Sequence, residues 1–355
     1  MKTQLFSEFV LRDLTIPNRA WVAPMCQYSS DNGFPTDWHL VHLGSRAAGG
    51  AGLVMTEATA VTAEGRISPA DAGIWSDDHG HAYQRIARFI SDRGAVPAMQ
   101  LAHAGRKAST AAPWLGGGAV ADADGGWTPV APSAVAFSNS HRTPRALETD
   151  EVAALPESFA AATTRARDAG FRVAEIHMAH GYLMHSFLSP LSNRRTDRYG
   201  GSLENRVRAP LEVAAAVREA WPAELPVLVR ISATDWAEGG WDIEQSVTLA
   251  ARLKALGVDL IDCSGGGLVP DAVIPSGPGY QVAFAARIRA EAGIATGAVG
   301  MITEAFQAEQ ILRTGQADAV LMARELLRDP YWPRRAARTL GDDVPWPVQY
   351  ERARR

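Results

Sequence analysis

Short apolar runs alternate with longer stretches of helical spacing along most of the chain. The runs are residues 20–23, 52–56, 96–101, 173–177, 227–231, 260–263, 296–299 and 319–322. Between them, 36–48, 77–93, 149–169, 203–220, 243–256, 281–291 and 304–313 repeat apolar positions at a helical period, and a last helix is predicted from Glu325. Thr36-Asp37 and Thr149-Asp150-Glu151 read as helix caps, and Pro156 marks a place for a kink. Ahead of all this, residues 6–19 alternate apolar and polar positions up to Pro17-Asn18, the pattern of a small β-hairpin.

Continuous apolar strands that alternate with helices belong to a parallel sheet covered on its outer face. Eight repeats predict an α/β fold closed as a (β/α)8 TIM barrel, with the amino-terminal β-hairpin added. A doubly wound sheet is the competing reading. It loses because no G-x-G-x-x-G follows the first run and no G-x-x-x-x-G-K-[ST] occurs anywhere. Residues 104–148 are rich in Gly, Pro, Ser and Ala without a period, which predicts a long loop or insertion after strand three. No internal linker interrupts the pattern, so residues 1–355 read as one domain.

Polar groups collect at the carboxyl end of the predicted strands, the face on which such barrels place their sites. The fourth strand is the richest: His177 closes it, and His180, Gly181 and Tyr182 follow at once. Two imidazoles and a phenol offer hydrogen bonds to a substrate oxygen and one proton to deliver. A metal is not expected, because no carboxylate or thiol stands at a spacing that completes a site with the two histidines. The other strands contribute Met25, Cys26 and Tyr28; Glu57, Ala58 and Thr59; Gln100 and His103; Arg230; Ser264 before three glycines; Gly297 and Gly300; and Ala323 with Arg324. The loops at Gly300 and Ala323-Arg324 open into helices, the usual place for a phosphate in a barrel. Arg230 rises from an apolar strand and needs a carboxylate or an electron-rich ring beside it. Gln100 can donate to and accept from the edge of a heterocycle.

Trp38, Trp114, Trp127 and Trp241 are expected to pack, and His39, His42, His79, His81, His141 and His185 to be helix, loop or surface residues. A net charge of -4 gives no electrostatic footprint for nucleic acid. Two cysteines, Cys26 and Cys263, are too few for a disulfide framework or an iron–sulfur cluster. Neither a signal-peptide run at the amino terminus nor a bilayer-length apolar segment is present, so a cytoplasmic protein with no membrane partner is expected.

Several stretches resemble the Old Yellow Enzyme family of FMN-dependent ene-reductases. They are Ala23-Pro24-Met25-Cys26-Gln27-Tyr28, residues 52–58, residues 100–106, His177-Met178-Ala179-His180-Gly181-Tyr182-Leu183, residues 192–206 and residues 324–330. Cys26 and Tyr28, with Gln349-Tyr350-Glu351-Arg352 near the end, resemble its bacterial "thermophilic-like", or YqjM-like, branch. The resemblance implies that Ala23, Pro24, Met25 and Cys26 line FMN, with Cys26 tuning its potential. It implies that Ala58, Gln100 and Arg230 hold the isoalloxazine, and that Gly300, Ala323 and Arg324 hold the phosphate. His177 and His180 would bind the oxygen of an activated alkene, with Tyr28 as a second contact and Tyr182 as proton donor. NADPH or NADH would reduce FMN, and hydride would pass from FMN N5 to the β-carbon of an α,β-unsaturated carbonyl or nitro compound.

The resemblance further implies a homodimer or homotetramer with Arg352 near a neighbouring subunit's site, although the tail ends Arg352-Ala353-Arg354-Arg355 where the branch commonly carries a Gly-Trp pair. The long loop at 104–148 is the stretch least like the family and is expected to shape substrate choice. A dienoyl-CoA reductase-like protein shares the barrel but needs a cysteine cluster that two cysteines cannot supply. A non-catalytic flavin-binding redox sensor built on Cys26 is the reading of a different class.

Overall fold

Eight parallel strands close into a barrel, each held to the next by backbone hydrogen bonds. The structure is a computed structural model that describes residues 3–354, so Arg355 of the tail lies outside the described residues. A hairpin of β1 (Phe9–Leu11) and β2 (Leu14–Ile16) comes first, as the alternation predicts. At its turn, Arg12 donates to Asp259 at 2.7 Å and to the carbonyls of Ala223 and Gly257. Those groups precede the strands Val227–Ser232 and Leu260–Ser264, so the hairpin plugs the amino end of the barrel and leaves the carboxyl end open for a site.

The barrel begins with β3 (Ala20–Val22), α1 (Asp37–Ala48), β4 (Leu53–Ala60), α2 (Asp77–Asp92) and β5 (Val96–Ala102). Two short strands, β6 (Val130–Ala131) and β7 (Arg145–Ala146), pair in parallel within the long loop. Then come α3 (Thr149–Asp168), β8 (Val173–Met178), α4 (Leu183–Leu188), α5 (Leu203–Arg206), α6 (Arg208–Ala220) and β9 (Val227–Ser232). The last third carries α7 (Ile243–Ala255), β10 (Leu260–Ser264), α8 (Val282–Ala292), β11 (Ala295–Ala298) and α9 (Ala305–Arg313). It ends with β12 (Ala319–Met322), α10 (Arg324–Arg328) and α11 (Trp332–Thr339). β12 pairs with β3 and closes the circle. Among the described residues no helix is long and apolar enough to cross a membrane.

Four stretches differ from the sequence reading for physical reasons. β4 runs on to Ala60 past the polar Glu57, because an irregularity between Met55 and Ala58 lets the ladder with β5 resume at Ala58 and Gln100. The stretch 203–220 is two helices, since Pro210 lacks the N–H that a continuous helix would donate to the Arg206 carbonyl. Pro330 likewise separates α10 from α11. At the start of α3 the cap is Glu148, whose backbone N–H donates to Glu151 Oε2 at 2.8 Å, rather than Thr149.

The tryptophans also sort differently from expectation. Trp241 is core, whereas Trp38 and Trp114 are exposed. His39 and His42 in α1, His79 in α2 and His185 in α4 are helix residues, as expected, and all four are buried.

Candidate active site

His177, His180 and Tyr182 come together at the carboxyl end of β8. The His177 ring lies 5.2 Å from that of His180 and 5.0 Å from that of Tyr182, edge-on to both. The turn that presents them is left-handed at His180 (φ +60°) and at Gly181 (φ +75°). A Cβ at Gly181 would sit 2.3 Å from the Gly267 carbonyl oxygen, so only glycine lets this turn lie against the β10 loop. Its backbone is pinned on both sides. His180 N–H donates to Ser232 Oγ at 2.9 Å, Gly181 N–H to His185 Nδ1 at 2.9 Å, and Leu183 N–H to the His103 carbonyl at 2.9 Å.

Hydrogen bonds also fix which ring nitrogen faces the site. His177 Nδ1 accepts the Ala179 N–H at 3.3 Å, which places its ring proton on Nε2. His180 Nε2 is 2.7 Å from Ser264 Oγ at the end of β10. Burial, then the Arg230 cation, holds both imidazoles well below the ordinary histidine range, so both are neutral. Burial pushes the Tyr182 phenol well up, which keeps its proton in place.

Beneath this group lies a charged layer inside the barrel. Strand register sets Glu175 beside Gln100, and Arg230 beside both His177 and Asp262. Gln100 donates its amide to Glu175 at 2.8 Å, and Arg230 Nε faces Asp262 Oδ2 at 3.1 Å. Asp262 is the carboxylate that Arg230 needed. Burial raises both Glu175 and Asp262, and Arg230 pulls both partly back. The Gln100 amide nitrogen is thus turned downward, so its oxygen is the atom more free to face a ligand.

A second wall comes from the loop after β3. Ala23 is buried, while Pro24, Met25, Cys26 and Tyr28 are partly exposed. Tyr28 is held at φ +48°. Glu57 braces this loop: its Oε2 accepts the Gln27 N–H at 2.8 Å, and its Oε1 lies 3.1 Å from His39 Nε2. His39 Nδ1 accepts the Thr36 N–H at 2.9 Å, so the proton on Nε2 points at Glu57. Cys26, Tyr28, Trp127 and Tyr182 pack on one small apolar cluster of Ala58, Ile67, Ala102, Ala104 and Ala108. Burial and the carboxylates of Asp71 and Glu57 push the Cys26 thiol well up. Lys107 enters from the β5 side, donating to the carbonyls of His180 at 2.9 Å and Gly267 at 2.8 Å, with Nζ 5.5 Å from the Tyr182 ring.

At the far end, between β10, β11 and β12, a cavity of about 220 Å³ is lined by Ser264, Gln281, Gly300, Ala323 and Arg324 among others. Gly300 has φ +122°, and a Cβ there would come within 3.0 Å of Tyr280 and Gln281. The Gln281 side-chain oxygen is buried with no hydrogen-bond partner. Arg324 is exposed and, among the described residues, has no ion pair. Small residues and a cation without an ion pair suit an anionic group, while the Gln281 oxygen, whose amide nitrogen already donates to the Val299 carbonyl at 3.2 Å, can accept only from a hydroxyl or N–H.

Residues 4–343 match the profile of the NADH:flavin oxidoreductase / NADH oxidase family. The chain belongs to that family. A relative described as NADPH dehydrogenase from Halalkalibacterium halodurans is 49% identical over 355 residues, covering 99% of each chain. Morphinone reductase in complex with tetrahydroNAD has a TM-score of 0.80 at 30% identity, over 98% of this chain and 93% of its own. An Old Yellow Enzyme homologue from Zymomonas mobilis has a TM-score of 0.79 at 26% identity, over 97% and 94%. These are the relatives that the motifs foretold.

The flavin oxidoreductase family uses FMN, and the residues present fit it. Ala58 and Gln100 are register partners at the barrel mouth, Arg230 stands over Asp262, and the cavity at Gly300 and Arg324 has the chemistry a phosphate takes. Arg352 stands apart from this group. It is exposed in the last turn, Val348–Ala353, which packs through Tyr350 on Tyr331.

Sequence reasoning missed Asp262, the Glu57–His39 brace, Lys107, His185 and Gln281 as site residues. A period-two reading of β8 and β10 carried the signal for two acids: it places Glu175 with His177, and Asp262 with Ser264.

Proposed function

We propose that this FMN oxidoreductase takes reducing equivalents from NADPH, or NADH, and reduces the activated C=C bond of α,β-unsaturated carbonyl or nitro compounds. The observation that carries the reading is the convergence of two neutral imidazoles and a protonated phenol within about 5 Å at one strand end. The name NADPH dehydrogenase of a relative 49% identical supports the choice of reductant.

Bound FMN supplies the hydride chemistry. His177 donates from Nε2 to the substrate oxygen. Ser264 Oγ lies 2.7 Å from His180 Nε2, and with the serine hydroxyl turned to that nitrogen His180 would carry its proton on Nδ1 and donate from there. Two neutral donors stabilise negative charge as it develops on that oxygen, which makes the β-carbon electrophilic. Tyr182 holds the proton for the α-carbon, and Tyr28 bounds the pocket beside it. Arg230 favours negative charge on the ring system above the barrel floor. Ala23, Pro24, Met25, Cys26, Ala58 and Gln100 line that ring system, and Gly300, Ala323 and Arg324 hold its phosphate. An exposed Arg352 without an ion pair, among the described residues, suits a contact with a neighbouring subunit in a homodimer or homotetramer.

The redox-sensor alternative asks Cys26 to react as a thiolate. Burial between Asp71 and Glu57 holds it as a thiol, which counts against that reading. An anaerobic titration tests the proposal. The flavin spectrum bleaches on adding NADPH and returns on adding 2-cyclohexenone; bleaching without return overturns the substrate class.

A further inference from the structure

The long loop after β5 does not wander. Residues 110–119 form a small hairpin, with a bridge between Thr110 and Ala119 and a 2.8 Å bond from Ala111 N–H to the Gly118 carbonyl. Its tip is the turn Pro113–Leu115, followed by Gly116 at φ +98° and Gly117 at φ +66°. Its base is bolted down. Val120 N–H donates to the Ser109 carbonyl at 2.9 Å, Trp127 N–H to Ser109 Oγ at 2.8 Å, and Trp127 Nε1 to the Glu64 carbonyl at 2.9 Å. The tip carries Trp114, whose ring meets the Tyr28 ring edge-on at 5.4 Å and 87°. Trp114 is nonetheless 67% exposed.

These residues lie along a gradient of burial. His177 is 4% exposed, Tyr182 and Tyr28 are intermediate and share one apolar cluster, and Trp114 stands at the open end. A ligand anchored by its oxygen at the histidines therefore has its remote end directed along Tyr182 and Tyr28 toward an indole face that the protein does not cover. A tryptophan packed for stability would be buried; this one is presented on a braced hairpin.

We propose that Trp114 is a specificity-determining residue that forms the outer aromatic wall of the substrate site, selecting activated alkenes that bear an aryl group remote from the oxygen. The inference rests on the proposed alkene reduction and deepens it by naming the substrate class. With 67% of Trp114 exposed beyond its contact with Tyr28, indole surface is left for a ligand ring to pack on, and one such contact is worth roughly two- to tenfold in binding.

The test compares 4-phenyl-3-buten-2-one with 2-cyclohexenone on the FMN-loaded enzyme. In Trp114→Ala the ratio of kcat/KM values, aryl enone over cyclohexenone, falls more than twofold and the change lies in KM. Trp114→Phe restores the ratio, and Trp114→Leu, which keeps bulk without a ring, lowers it even if the alanine variant misfolds. A ratio within twofold of wild type in the leucine and alanine variants overturns the inference. Binding of both enones to the oxidised enzyme, followed by flavin absorbance, separates it from the proposed reaction. Turnover intact with an unmoved ratio sinks the wall alone; no turnover, with aryl binding weakened in the variants, sinks the reaction alone.

Discussion

His185 Nδ1 accepts the Gly181 N–H at 2.9 Å while its Nε2 faces Asp235 Oδ1 at 2.9 Å, both side chains fully buried. Asp235 is held in turn by Ser189 Oγ at 2.6 Å and Trp241 N–H at 2.7 Å. Burial alone would raise the Asp235 carboxyl, but these partners bring it below the usual range. The backbone between His180 and Tyr182 is thus fixed from below by groups that never meet substrate.

Because the turn is fixed independently of the phenol, Tyr182→Phe removes a proton without moving its neighbours. Alkene turnover is expected to fall by about 10²–10⁴, the usual worth of a positioned proton donor. Flavin reduction by NADPH should stay within a few-fold of wild type in stopped flow. Equal losses in both half-reactions would show that Tyr182 serves the site as a whole.

Arg230 and Asp262 are both buried, so removing the cation strands a carboxylate in the barrel. Arg230→Met should cost about 3–5 kcal/mol in urea unfolding, and the protein should lose flavin on dilution. An unchanged midpoint would mean that the pair contributes nothing to the fold.

Burial, then the neighbouring Arg106, brings the Lys107 amine down to about 7. A free lysine keeps its proton to about 10.4. Between these values the unfolded chain binds more protons, so this group adds stability as pH rises through about 7. The neutral amine still has two N–H donors for the carbonyls of His180 and Gly267. The stability of wild type minus that of Lys107→Met should therefore grow from pH 6 to pH 9. A flat difference would place the Lys107 titration elsewhere.

Glu57→Gln sets an amide against the His39 Nε2–H if its oxygen keeps the Gln27 N–H. Replacing the charged acceptor, with only Ser30 Oγ at 3.3 Å left to His39 Nε2, should cost about 1–3 kcal/mol in unfolding and release the Tyr28 loop from its left-handed geometry. We expect a severalfold rise in KM for an enone with a smaller change in kcat. Wild-type constants would show that the brace is redundant.

The barrel was legible because each strand is a short apolar run whose ends are marked by Gly, Pro or a polar side chain, and a parallel strand buried on both faces has no other way to look. The site face was legible for the same reason: His177, Arg230 and Gln100 interrupt apolar runs, and a buried polar group calls for a partner. What could not be read was which partner. Asp262 sits in an equally apolar run, yet only strand register puts it beside Arg230. His39 on α1 meets Glu57 on β4 through tertiary geometry that no local pattern encodes, and His185 reads as an ordinary helical residue until Asp235 is seen beneath it. Trp114 reads as a packing residue in the sequence, but its hairpin neighbours Ala111, Ala112, Gly116 and Gly117 are too small to bury it.

The two-stranded patch of β6 and β7 has a consequence for how this chain can change over time. Arg195 donates to the Pro132 carbonyl at 3.0 Å and also bonds the Leu147 carbonyl, so both strands of the patch are tied at their carboxyl ends to the polar crossing that follows α4. The hairpin upstream of it can therefore be lengthened, trimmed or exchanged for another while its return path stays tethered. Mutations that redraw the mouth need not disturb the strand ends that carry His177 and Arg230. In this architecture, new substrates can be acquired by drift in one surface cassette, while the inherited chemistry is carried forward intact by the barrel.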